Sequence, residues 1–116
     1  MLPNGAVRSP DAAWISKLRL AELSADDKNR FIPICPDFVV ELRSATDRLS
    51  VLQAKMEEYM ANGARLGWLL DGLECRAYVY RPQKGIEILD MPASLSGDPE
   101  LRGFVLNLAS IWQPAF

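Results

Sequence analysis

Phe38-Val39-Val40-Glu41-Leu42, bounded by Pro36-Asp37 before it and Ser44 after it, is the clearest strand in the sequence. Phe38, Val39 and Val40 are aromatic or β-branched, and the flanks are turn formers. A long helix follows it. Leu49, Leu52, Met56, Tyr59 and Met60 fall on one face of an α-helix. Ser44, Thr46 and Asp47 are good N-cap types, and Asn62-Gly63 is a usual C-terminal stop. Leu66-Gly67-Trp68-Leu69-Leu70 is apolar on both faces and so reads as a central strand. Arg76 to Arg81 reads as its antiparallel neighbour, and Ile86 to Leu89 as a further strand. Upstream, Ala12-Ala13-Trp14-Ile15 suits a short buried strand and Lys17 to Leu23 a short helix. Beyond Leu89 the pattern allows a loop, a short extended piece and a last helical turn. The order predicts an α+β fold, a sheet with one principal helix packed on a face.

The chain has 116 residues, 49% of them hydrophobic, which suits a single domain with a true core. No stretch approaches the roughly 20 apolar residues of a membrane span, and Met1 to Pro10 lacks the pattern of a signal peptide. Cys35 and Cys75 are too few and too isolated for a disulfide framework or a zinc site. They are expected as free thiols in a reducing cytoplasm. Histidine is absent, which removes Ser-His and Cys-His nucleophiles and histidine-bound zinc. Catalysis would have to use carboxylates, lysine and a hard metal. The net charge of -2 counts against nucleic-acid binding, where phosphate contacts supply much of the affinity. Carboxylates clustered around Mg²⁺ would account for part of it.

Three residues ask for a chemical explanation. Glu41 interrupts an apolar run, and acids are seldom buried without a partner or a metal. Strand alternation puts it on one face with Asp37, Val39 and Arg43. That pattern also describes an ordinary half-exposed strand with Glu41 in water beside Arg43. If the strand from Ala12 pairs antiparallel with Phe38 to Leu42, Asp11 falls near Glu41. Asp37 is then about 13 Å away at about 3.3 Å per residue, too far to share an ion. Asp11 is equally a plain turn residue after Pro10. Lys55 flanks the apolar stripe of the helix, where its stem can lie on the core and its ammonium reach the strand end. The blander alternative is a solvated lysine pairing loosely with Glu58. Gln53 is another reachable polar group with a weaker claim, and Trp14, Trp68 and Trp112 read as core.

The same segments, in series, resemble the Uma-two family of the PD-(D/E)XK nuclease superfamily. The resemblance runs through Asn4 to Trp14, Cys35 to Ser44, Leu52 to Tyr59, Asn62 to Asp71 and Tyr80-Arg81-Pro82. Gly97-Asp98 and Leu101 to Leu106 continue it, so it covers nearly the whole chain. It implies a restriction-endonuclease-like mixed sheet and Mg²⁺- or Mn²⁺-dependent hydrolysis of DNA phosphodiesters. Asp11 matches the aspartate of the first Pro-Asp, and Glu41 the acid of (D/E)XK. Arg43 stands where the superfamily's lysine often is, and Lys55 matches the helix lysine of this family. Asp11, Glu41 and the Leu42 main-chain carbonyl are thereby implied as metal ligands, and Lys55 as a catalytic residue. Family members usually begin several dozen residues earlier, so the sequence reads as a core lacking that N-terminal segment. Ala45 stands where a proline is common. DNA and a second copy of the chain are the expected partners. The alternative is a catalytically silent nuclease-fold domain serving as a dimerisation module.

Overall fold

A computed structural model describes residues 12–14 and 36–112. The strands are β1 (Ala12–Trp14), β2 (Phe38–Leu42), β3 (Leu66–Asp71), β4 (Arg76–Tyr80) and β5 (Glu87–Asp90). They form one sheet in the order β1-β2-β3-β4-β5. β2 and β3 run parallel, and every other neighbouring pair is antiparallel. Two parallel neighbours need a crossover between them, because a tight turn cannot reverse the chain twice. Helix α1 (Leu49–Ala61) is that crossover. The fold is therefore α+β, a mixed sheet with one principal helix. The short helix expected over Lys17 to Leu23 lies outside the described residues.

The sheet is apolar on both sides, and the sides have different covers. Val39, Leu69, Tyr78 and Tyr80 pack with Leu52, Met56 and Tyr59 of α1 and with Ala64. Phe38, Val40, Leu66, Trp68, Leu70, Ala77 and Val79 pack on the opposite side with Leu95, Leu108 and Trp112. Those last residues belong to the C-terminal segment, where β6 (Ser94–Ser96) and β7 (Val105–Asn107) form a two-stranded ribbon. A short helix, α2 (Ala109–Trp112), follows them. Phe104, just before β7, ties the ribbon to the sheet, stacked on Trp68 with centroids 5.9 Å apart and edge-on to Phe38 at 6.2 Å. Trp68 and Trp112 are core as expected; the Trp112 indole N–H donates to the Pro92 carbonyl at 2.6 Å.

The ends of α1 differ. At its C-terminus Gly63 takes φ 113°, a conformation that a side chain would oppose. This lets the Ala64 N–H reach the Tyr59 carbonyl at 3.0 Å and the Gly63 N–H reach Met60 at 3.4 Å, a Schellman closure. At the N-terminus none of the three expected caps is used. Arg48 occupies the cap position without a side-chain hydrogen bond. The Asp47 carboxylate is turned back instead, accepting from the Ser44 N–H at 2.9 Å and the Ser44 hydroxyl at 2.8 Å. The loop that leads out of β2 competes successfully for that carboxylate.

Tyr80 carries a built-in cost. It is buried on the α1 side, and its hydroxyl has no hydrogen-bond partner among the described residues. Burial, with Glu57 and Tyr78 adding to it, pushes its pKa from 10.0 up to about 12. A raised pKa means the folded state resists ionisation, so its stability contribution is complete below pH 10 and is lost as pH climbs through about 12. Tyr80→Phe removes an unsatisfied polar atom and should leave stability at neutral pH unchanged or raise it by up to about 1 kcal/mol. It should also flatten the alkaline limb between pH 10 and about 12. Urea denaturation across that range reads both effects. On the same footing, Met56→Ala, which empties a fully buried site, should cost about 2–4 kcal/mol. Val51→Ala on the exposed side of α1 should stay within about 0.5 kcal/mol.

Candidate active site

Glu41 points to the α1 side of the sheet, in one row with Leu69, and is only 2% exposed. The half-exposed reading, with Glu41 in water beside Arg43, therefore does not describe it. A buried carboxylate needs charge or hydrogen bonds to offset its lost hydration. α1 supplies both from residues one turn apart. The Lys55 ammonium lies 3.0 Å from Glu41 Oε1, and the Tyr59 hydroxyl donates to the same oxygen at 3.2 Å. Residues four apart on a helix share a face, so one helix delivers both donors to one strand residue. The Lys55 side chain is 22% exposed, with its head at Glu41 and not in open solvent.

The strand pairing needed for a second carboxylate is present. β1 and β2 are antiparallel, with Ala12 opposite Val40, Ala13 opposite Val39 and Trp14 opposite Phe38. Ala12 follows Asp11 in sequence, and Val40 precedes Glu41. Asp11 itself lies outside the described residues. Asp37 is buried at the opposite end of β2, where its main-chain carbonyl accepts from Arg65 at 2.8 Å and Leu66 at 3.1 Å. Its main chain thus joins the entries of β2 and β3. Leu42 closes β2 next to Glu41. Among the described residues no group of three or more His, Cys, Asp or Glu could hold a metal ion. What this part of the chain offers is one buried carboxylate beside a strand-end carbonyl, with a lysine in contact. These are hard oxygen donors of the type that Mg²⁺ and Mn²⁺ take. A site built on them requires at least one further acid.

Two residues that the sequence reading passed over take part here. Tyr59 was counted only as a member of the apolar stripe, although its spacing of four from Lys55 could have marked it. Asp71 ends the apolar β3 and is completely buried. Its Oδ2 pairs with Arg43 Nη1 at 2.9 Å, and its Oδ1 accepts from the N–H groups of Leu73 at 3.0 Å and Glu74 at 3.2 Å. Arg43 also donates from Nε to the Asp47 carbonyl at 3.3 Å. An acid closing an otherwise apolar buried strand was the available signal. The Ser44 N–H and hydroxyl hold the Asp47 carboxyl below its ordinary value, and Lys55 and Arg43 push it the same way.

The Uma2 family, described as "Putative restriction endonuclease", matches residues 1–109. A crystal structure of a putative nuclease belonging to DUF820 from Anabaena variabilis ATCC 29413 is similar, with TM-score 0.59 and 28% sequence identity. The similarity covers 68% of this chain and 45% of that one, so this chain spans less than half of that nuclease's length. No curated protein matches the chain.

Tyr59→Phe keeps the ring in the core and deletes the hydroxyl that donates to Glu41. Hydrogen bonds to charged groups are worth about 1.5–3 kcal/mol, and Lys55 continues to serve the same oxygen. The expected loss is about 1–2 kcal/mol in urea denaturation at pH 7, the opposite of the outcome for Tyr80→Phe in the same cluster.

Proposed function

The chain belongs to the Uma2 family, and on that premise we propose that it is the core of a metal-dependent endonuclease hydrolysing phosphodiester bonds in DNA. The observation that carries this reading is the buried Glu41 carboxylate with the Lys55 ammonium 3.0 Å from it at the end of a sheet strand. An acid is not kept in such a place by packing, since an apolar residue of similar size would cost less. With no histidine in the sequence, hydrolysis has to proceed through carboxylates, lysine and a divalent ion.

In this proposal Asp11, Glu41 and the Leu42 main-chain carbonyl hold Mg²⁺ or Mn²⁺. The ion, when bound, would supply a Lewis acid that polarises the phosphate and lowers the pKa of a nearby water. Lys55 stands beside the ligand and not opposite it. Its three N–H donors suit it to orient the attacking water and to stabilise the charge that develops on the phosphate. Tyr59 holds Glu41 in one orientation, so the ligand geometry is set before the ion arrives. DNA is the substrate expected of the family, and the cytoplasm the compartment where it would be met.

We also propose that the protein works as a homodimer. Ile88 on β5 and Val105 on β7 are among its exposed large apolar side chains, and a second copy could cover such surface. Sedimentation at high micromolar concentration should show a dimer, and a monodisperse monomer there removes this part of the reading.

The site assignment has a direct test in Mn²⁺ titration calorimetry. Asp11→Asn and Glu41→Gln should each abolish binding while the circular dichroism of the fold is kept. Asp37→Asn should bind nearly as the unaltered protein does, because its place is at the far end of β2. Lys55→Met should retain the ion and lose DNA cleavage. Loss of Mn²⁺ in Asp37→Asn with normal binding in Asp11→Asn would reverse the assignment. An unaltered chain that binds no Mn²⁺ would favour a catalytically silent interaction domain.

A further inference from the structure

Arg43 is two residues from Glu41 on the same strand direction, and the two side chains leave the sheet on the same face. Their Cα atoms are about 6–7 Å apart at about 3.3 Å per residue, within reach of an arginine side chain. Yet the guanidinium does not turn to Glu41. It is drawn sideways to Asp71, 2.9 Å away on the neighbouring β3, and to the Asp47 carbonyl at 3.3 Å. Asp71 is itself held by two backbone N–H groups of the turn that follows β3. A completely buried carboxylate with both oxygens engaged is a rigid acceptor, and Arg43 is only 17% exposed in the side chain.

Glu41 already has the Lys55 ammonium on Oε1. A second cation on the same carboxylate would cancel the negative charge that a divalent ion needs. We propose that Asp71 is a positioning residue that holds the Arg43 guanidinium away from Glu41 and so preserves that carboxylate for the metal. The inference rests on the reading of Glu41 as a metal ligand. It differs from a plain structural role for the pair, which predicts only that the turn after β3 loosens when the pair is broken.

The two roles separate in a set of variants. Asp71→Asn keeps an Oδ1 for the Leu73 and Glu74 N–H groups but removes the charge that holds Arg43. It should weaken Mn²⁺ binding by about 10- to 100-fold, the range typical for partners that orient metal ligands. Adding Arg43→Met should restore affinity to within a few-fold of the unaltered protein, because the competing cation is gone. A structural role predicts no recovery, and unchanged binding in Asp71→Asn also overturns the proposal. Comparison of Asp71→Asn/Arg43→Met with Asp71→Asn/Arg43→Lys keeps the test open if the single variant folds poorly. Both lack the ion pair, and the lysine form should bind Mn²⁺ at least tenfold more weakly. Equal binding refutes the inference. If the unaltered protein binds no Mn²⁺, the metal reading fails by itself. The inference is then judged by a crystal structure of Asp71→Asn. Arg43 on the Glu41 carboxylate supports it, and Arg43 still at residue 71 or in solvent overturns it.

Discussion

The parallel pairing of β2 with β3 is the constraint from which the site follows. Phe38 to Leu42 lie beside Leu66 to Leu70 in one direction, so the chain must travel back along the sheet between them. α1 makes that journey and has to bury its apolar stripe on the face that it crosses. Once it does so, Lys55 and Tyr59, one turn apart, come down on Glu41. An antiparallel hairpin between the same strands would need no helix, and Glu41 would have neither partner. The ion pair is thus a consequence of topology, paid in desolvation and met by two donors from one element.

The sheet around it is unusual for a surface that carries charge. Both faces are covered, one by α1 and the other by the ribbon and α2, and β3 is buried along its whole length. Asp37, Glu41 and Asp71 are the buried charged residues among those described. Each sits at or near a strand end, where backbone N–H groups, lysine or arginine can reach it. The middle of the sheet, at Val39, Trp68 and Leu69, has no such donors and is wholly apolar. Placement of acids at strand ends therefore reflects the supply of partners and not a tolerance for charge in the core.

Glu41 and Asp71 show how similar surroundings give different roles. Asp71 has its oxygens divided between a guanidinium and two turn amides, so its position is locked. Glu41 has two donors converging on one oxygen from a helix, one of them a flexible lysine that remains partly exposed. An arrangement of the first kind stabilises a turn. One of the second kind can exchange partners, which is what a ligand or catalytic group requires.

The sequence by itself determined the elements. Period-two and helical patterns placed β2, α1, β3 and β4 within a residue of their ends, because each pattern reports the local face that must be buried. It also singled out Glu41 and Lys55, as polar residues where an apolar or solvated one was expected, and it led to the antiparallel pairing of β1 with β2. The short β6 and β7 were legible only as a loop with an extended piece, since three-residue strands carry too few positions to show a period. Partners were decided by tertiary structure alone. Arg43 could have faced Glu41 or water, and Asp47 could have capped α1. Tyr59 could have been one more apolar contact. For Tyr59 and Arg43 the choice depended on which acceptor lay nearest after the strands had paired, 18 and 28 places away in the chain, whereas Asp47 turned to Ser44 three residues back. Local patterns record what a residue must avoid; only the packed sheet settles what it touches.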